Sequence, residues 1–173
     1  MAVKMEKKYV LTNRRSGKML AANGNAVVQM TEDGSDMQIW RAIPGEGTSV
    51  QLVNKATGLA LTVSGEAENG TALTLAPAEN SAAQLWKLNT TTRGFRKIMH
   101  AASGKVVDIK DISDSDYAPA QLWEFVKGEN QDWVLTEVEK EVKAPVKRAV
   151  KEVKTEKAGK TPAKTAKTAK KTK

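Results

Sequence analysis

Asp108, Gln121, Trp123, Asn130 and Gln131 bring one carboxylate, three carboxamides and an indole into one short span. A carboxylate can accept from two hydroxyls at once, and charge-assisted hydrogen bonds are about twice as strong as neutral ones. Carboxamides both donate and accept. An indole offers a flat apolar face with a polar tip that still reaches solvent. Such a set suits a pyranose, which carries vicinal hydroxyls along its edge and a face rich in C–H. The other readings are a turn-capping Asp108 and a Trp123 that fills a surface gap. Asp is disfavoured in strands, so its place in a β-rich segment calls for a reason.

The elements that position these residues follow from an internal repeat. Gln-x-Trp closes three units, at Gln38–Trp40, Gln84–Trp86 and Gln131–Trp133, with spacings of 46 and 47 residues. A Ser/Thr-Gly turn recurs earlier in each, at Gly17, Gly58 and Gly104. Each unit opens on a strand-like run (YVLT, VQLVN, RKIMH) and holds another in its middle (VVQM, TALTLA, AQLWEF). Turn residues such as Asn23-Gly, Asn69-Gly and Lys127-Gly separate them. Short strands at this spacing predict an all-β barrel or sandwich, and three four-strand units favour a closed barrel, because closure removes sheet edges.

The three units serve as controls for one another. Counted back from the closing Gln, Trp123 stands where the first two units have Met30 and Ala76, and Gln121 where they have Val28 and Thr74. Asn130 matches Met37 and Ala83; Asp108, four residues after the turn Gly, matches Ala21 and Thr62. The Gln121–Trp123 triplet is therefore not a fourth repeat mark. Only the third unit carries the whole set.

Three units of about 45 residues, each closing on Gln-x-Trp, resemble the ricin B-type lectin family over residues 8–136. The resemblance implies a β-trefoil of three four-stranded repeats, with a six-stranded barrel capped by hairpins, and repeats at about 8–47, 48–94 and 95–136 of a domain spanning 1–136. It implies that Trp40, Trp86 and Trp133 are core. It also implies a galactose-type site on Asp108, Gln121, Trp123, Asn130 and Gln131, where all five positions match the family's sugar-binding lobe. The expected function is non-catalytic binding of glycans carrying galactose or N-acetylgalactosamine, at one site per chain and without a cofactor or metal.

Other chemistry finds little support in the residue types. Asp111, Asp114 and Asp116 form D-x-x-D-x-D but lack the Gly and closing Glu of an EF-hand calcium loop, so an acidic loop beside the sugar site is expected. His100 is the only histidine and takes the place of Asn13 and Asn54, which points to structure rather than catalysis. With no cysteine, disulfides, Cys-based zinc sites and Cys nucleophiles are excluded. No carboxylate pair is singled out for glycoside hydrolysis.

Charge divides the chain. Residues 141–173 hold 12 basic and 3 acidic residues, whereas residues 1–140 hold 16 and 17. The segment from 137 onward carries an apolar stripe at Val138, Val142, Val146, Val150 and Val153, interrupted by Pro145. It then becomes a low-complexity Lys/Thr/Ala tract, which resembles linker-histone tails in composition. The expectation for 137–173 is a basic tail, partly helical or disordered. The rival to the lectin reading is an interaction protein with a vestigial sugar site, whose tail binds nucleic acid or another polyanion through its phosphates. The start MAVKMEKKYVL has no apolar signal-peptide run, and no stretch reaches the roughly 18 apolar residues of a membrane span. Both features fit a cytoplasmic protein, with release by a signal-independent route left open.

Overall fold

The computed structural model describes residues 6–139. The valine stripe beyond Val138 and the basic tract lie outside them. Twelve strands build the described part: β1 (Lys7–Asn13), β2 (Met19–Asn23), β3 (Ala26–Met30), β4 (Ile39–Pro44), β5 (Val50–Asn54), β6 (Ala60–Val63), β7 (Leu73–Ala76), β8 (Trp86–Thr90), β9 (Arg96–His100), β10 (Val106–Ile109), β11 (Ala120–Trp123) and β12 (Trp133–Glu137). The strand-like runs of the sequence fall on β1, β5 and β9 and on β3, β7 and β11.

Six strands close a barrel. β1 pairs with β4, β4 with β5, β5 with β8, β8 with β9, β9 with β12 and β12 with β1, all antiparallel. The ring leaves no open edge. The other six form the hairpins β2–β3, β6–β7 and β10–β11. These meet one another through Ala26↔Thr74, Val28↔Pro119 and Ala72↔Gln121. This is the three-lobed arrangement of a β-trefoil. The turn glycines Gly17, Gly58 and Gly104 sit at φ of 71°, 72° and 76°, a left-handed conformation that side chains resist. Each donates its N–H back to the carbonyl of Asn13, Asn54 or His100 at 2.9 Å.

Three-fold layers fill the interior. Trp40, Trp86 and Trp133 are fully buried, as are Leu11, Leu52 and Ile98 and the set Leu20, Leu61 and Val107. Each Trp also donates its indole N–H to a carbonyl in its own unit: Leu20 at 2.8 Å, Leu61 at 3.0 Å and Val107 at 3.3 Å. The indole thus ties the barrel strand to the first strand of the hairpin above it. Truncating such a residue costs about 3–5 kcal/mol.

The Gln of each triplet has an equally regular task. It ends a single 3-10 turn (Asp36–Gln38, Ala82–Gln84, Glu129–Gln131) and stitches the loop after the hairpin. Gln38 donates to Thr31 O and accepts from Asp33 N, Gln84 to Pro77 O and from Glu79 N, and Gln131 to Glu124 O and from Val126 N, all within 2.8–3.0 Å. These bonds satisfy backbone groups in a loop that has no ladder partner.

Candidate functional site

The hairpin β10–β11 sets Asp108 directly opposite Gln121 and Val106 opposite Trp123. Across that hairpin the Gln121 amide donates to Asp108 Oδ1 at 2.9 Å. The 3-10 turn supplies two further donors to Oδ2, Asn130 Nδ2 at 2.8 Å and Gln131 Nε2 at 2.9 Å. Four of the five sequence-predicted residues are therefore held together around one carboxylate, and Trp123 joins them as a wall of the same cleft. A carboxylate has about four lone-pair positions, so three amide donors leave one acceptor position, on Oδ1. The structure thus offers a single hydroxyl acceptor on Asp108 where the sequence suggested two.

Asp108, Gln121, Trp123 and Asn130 line an open cleft of about 430 Å³, together with Gly70, Lys110, Asp111, Ile112 and Val126. Gln131 is not on its wall. It is fully buried behind Asp108, its oxygen taken by Val126 N and its amide shared between Asp108 and Glu124 O. Its place is that of a positioning residue. Trp123 is half-buried, with its indole N–H unengaged by the described residues, and forms one side of the cleft.

Burial pushes the Asp108 carboxyl above the ordinary carboxylate value. The hydrogen bonds from Gln121, Gln131 and Asn130 pull it back, and the nearby Asp111 charge adds to the rise.

Local sequence explains how the turn delivers Asn130. A side chain on Gly128 would begin 2.5 Å from Asn130 Oδ1, closer than real contacts allow, so any larger residue there must shift the Asn130 amide from this position. From the far side, Asn13 of the first unit donates to Asn130 O at 3.0 Å.

Some wall residues were not visible in the repeat register. The loop before β7 comes from the second unit. Gly70 donates its N–H to Leu122 O at 2.8 Å, and Asn69 Oδ1 accepts from Glu124 N and Lys105 Nζ at 2.9 Å each. Gly70 lies against the Trp123 ring, where an added methyl would touch Cζ3 at 3.7 Å. The only sequence signal was Asn69-Gly70, read as a turn.

The sister positions hold different chemistry. In the second unit Thr62 takes the place of Asp108, and Gln84 donates to its hydroxyl at 3.1 Å. In the first, Ala21, Met30 and Met37 line a smaller hollow beside Tyr117.

The acidic loop divides its labour. Asp114 pairs with Arg15 at 3.1 Å, and Asp116 pairs with Lys18 and accepts from Thr31 N, fastening the third unit to the first. Asp111 alone of the three lines the cleft. It and Ile112 have φ of 58° and 54°.

His100 sits against Trp86, ring centroids 5.3 Å apart. Its Nε2 lies 3.0 Å from Ala82 O, which can only accept, so that nitrogen is assigned the proton and Nδ1 accepts from Ser103 Oγ at 2.9 Å. Burial lowers its pKa below 6.5, with the Ala82 bond opposing.

Known proteins share this architecture. A designed three-fold symmetric protein, ThreeFoil, is 29% identical, covers 76% of this chain and 99% of its own, and has a TM-score of 0.72. An exo-β-1,3-galactanase from Clostridium thermocellum is 30% identical with a TM-score of 0.74; the match covers 79% of this chain but only 31% of the galactanase. A ricin B-like lectin from Macrolepiota procera, solved with lactose, is 18% identical, covers 78% of this chain and 98% of its own, and has a TM-score of 0.69. A comparison with curated proteins gave no match. A family model for a ricin-type β-trefoil lectin domain-like region matches residues 3–76. The model of the ricin-type β-trefoil lectin domain itself matches residues 48–173, well over half the sequence. Barrel, repeats and both matches agree: the chain belongs to the ricin-type β-trefoil lectin family.

Proposed function

We propose that the protein binds galactose or N-acetylgalactosamine units of glycans, without hydrolysing them, through one site in its third repeat. The observation that carries this reading is Asp108. A carboxylate buried at the base of an open cleft is costly unless it is hydrogen-bonded. Here three amides hold it in place while one lone pair stays available beside a half-exposed Trp123. The fold does not need this residue, because Ala21 and Thr62 serve at the equivalent positions.

In the proposed complex a ring hydroxyl donates to Asp108 Oδ1. Gln121 and Asn130 offer amide groups to neighbouring hydroxyls, and the C–H face of the sugar packs on Trp123. The ligand named for the Macrolepiota lectin and the substrate named for the galactanase both contain galactose, which supports that sugar class. The test is titration of methyl galactoside against wild type and Asp108→Ala; equal affinity for the two would sink this site.

The strongly basic residues 141–173 support a second activity, polyanion binding through the tail.

A further inference from the structure

A second cleft, of about 290 Å³, lies on the other side of the same turn. It is lined by Thr90, Thr91, Thr92, Arg93, Lys97, Phe125, Lys127 and Asp132. Val126 and Asn130 face the Asp108 cleft, while Phe125, Lys127 and Asp132 face this one. One segment is the shared wall of both.

The units again act as controls, and the third departs from its sisters. Asp132 stands where the others have Ile39 and Leu85, and Lys127 where they have Gly34 and Asn80. Lys97 replaces Val10 and Gln51, and Phe125 replaces Glu32 and Ala78.

Two of these changes run against folding preference. Asp132 is fully buried, at a position that apolar residues fill elsewhere. Its Oδ2 pairs with Arg14 at 3.0 Å and Arg93 at 3.5 Å, while its Oδ1 and the neighbouring Thr91 Oγ1 are buried with no hydrogen-bond partner in the described structure. A buried ion pair is weak support for stability compared with well-packed apolar residues. Lys127 has φ of 65°, where the first unit uses Gly34 at 73°. A non-glycine residue in that region is uncommon, and strain of this kind concentrates at binding sites.

The charges do not cancel. Arg14 also pairs with Glu129 at 2.9 Å, and Arg93 donates to Lys127 O at 3.3 Å. Asp132 and Glu129 are thus balanced by Arg14 and Arg93. Lys97 and Lys127 have no carboxylate partner among the described residues. Lys97 lies over the Phe125 ring, 4.1 Å from its centroid, and so is held toward the cleft. Two cations without carboxylate partners and three threonines, beside an Asp132 carboxylate that Arg14 and Arg93 neutralise, make a concave site with anion-binding chemistry. The ring face that Lys97 covers is not open to a stacked base, which argues against a nucleic-acid site.

We propose that this cleft is an anion-selective subsite, which takes the sulfate or carboxylate of an acidic glycan whose galactose unit occupies the Asp108 cleft. The proposal rests on the sugar-binding reading for its glycan and on Lys97 and Lys127 for its charge preference. The segment that walls both clefts, 125–132, is the link the proposal draws between them.

Calorimetry at low ionic strength tests it, with methyl galactoside, galactose 6-sulfate, galacturonate and inorganic sulfate as probes. Two proteins are compared, wild type and the double variant Lys97→Gln/Lys127→Gly. The glycine relieves the left-handed backbone at 127, so the variant should fold, and a thermal melt checks this. The expected result is that the charged sugars bind wild type roughly three- to tenfold tighter than methyl galactoside, and that raising the salt shrinks the gain. The double variant should lose the gain and keep methyl galactoside affinity. Equal affinity of charged and neutral sugars for wild type, or a gain that survives the double variant, overturns the proposal. An RNA oligomer that outcompetes galactose 6-sulfate on wild type but not on the variant overturns the glycan assignment. If methyl galactoside does not bind wild type, the sugar reading fails instead. The anion site then stands or falls on whether inorganic sulfate binds wild type and not the double variant.

Discussion

Replacing Asp108 with threonine separates its role in binding from any role in folding. The second unit shows what the fold does with Thr at this place: Gln84 donates to the Thr62 hydroxyl at 3.1 Å. In Asp108→Thr, Gln131 can make the same bond and keeps Glu124 O at 2.9 Å. Asn130 keeps its bond to Ile109 O at 3.2 Å. Only the Gln121 amide loses its partner, and it lines a cleft open to water. The penalty for one orphaned donor is about 1–3 kcal/mol, and solvent access puts this case at the low end. Removing a partly desolvated charge offsets it further. Stability should therefore change by less than about 1 kcal/mol. Binding should suffer more. A hydrogen bond to a charged group contributes about 1.5–3 kcal/mol, equivalent to about a 10- to 150-fold loss of affinity. Isothermal titration with methyl galactoside, paired with a thermal melt, reads both quantities. A folded variant whose affinity stays within about twofold of wild type would refute the reasoning. A melting collapse would show instead that Asp108 is chiefly structural.

Four further outcomes can be measured, three from the geometry and one from the charge of the tail. Gly128→Ala places a methyl group against Asn130 Oδ1 and should weaken sugar binding by displacing Asn130, with melting affected less than affinity; titration with methyl galactoside checks it. The two pH effects differ in sign. The Asp108 carboxyl is raised in the fold, so sugar affinity should begin to fall on acidification above the usual carboxylate value of 3.8, and Asp108's contribution to stability is lost as pH rises from 3.8 through its folded value. His100 is lowered in the fold, so its contribution to stability is lost as pH falls below 6.5; melting of wild type against His100→Asn, which restores the residue of the sister units, should show that dependence only in wild type. A gel shift with nucleic acid, run with and without residues 141–173, should show binding only for the full chain, and equal shifts would remove the tail's role.

Much of the fold was legible because a three-fold structure repeats its signals. Trp40, Trp86 and Trp133 each bury an indole and reach a carbonyl in their own hairpin, so the requirement appears three times in one sequence. The candidate site was legible for the complementary reason: Asp108, Gln121, Trp123 and Asn130 break a pattern that the sisters keep. What escaped was contact between units. Gly70 reaches the cleft from the second unit and Asn69 braces the strand end behind it through Glu124 N, and neither residue type nor register marks them for it. Gln131 looked like a ligand residue because amides bind hydroxyls, but the 3-10 turn aims it inward, where it fixes Asp108. Asp132 passed as the variable residue of Gln-x-Trp. Its burial and its pairing with Arg14, far away in sequence, appear only in three dimensions.

The most direct test uses the four tryptophan indole N–H resonances of the chain. Three are buried and bonded to the carbonyls of Leu20, Leu61 and Val107, while Trp123 stands at the cleft. In a titration of isotope-labelled protein with methyl galactoside, the account predicts a saturable shift centred on the Trp123 indole, with the other three nearly still. Absence of any shift at Trp123, or a shift confined to the core tryptophans, would contradict a sugar site in the third repeat.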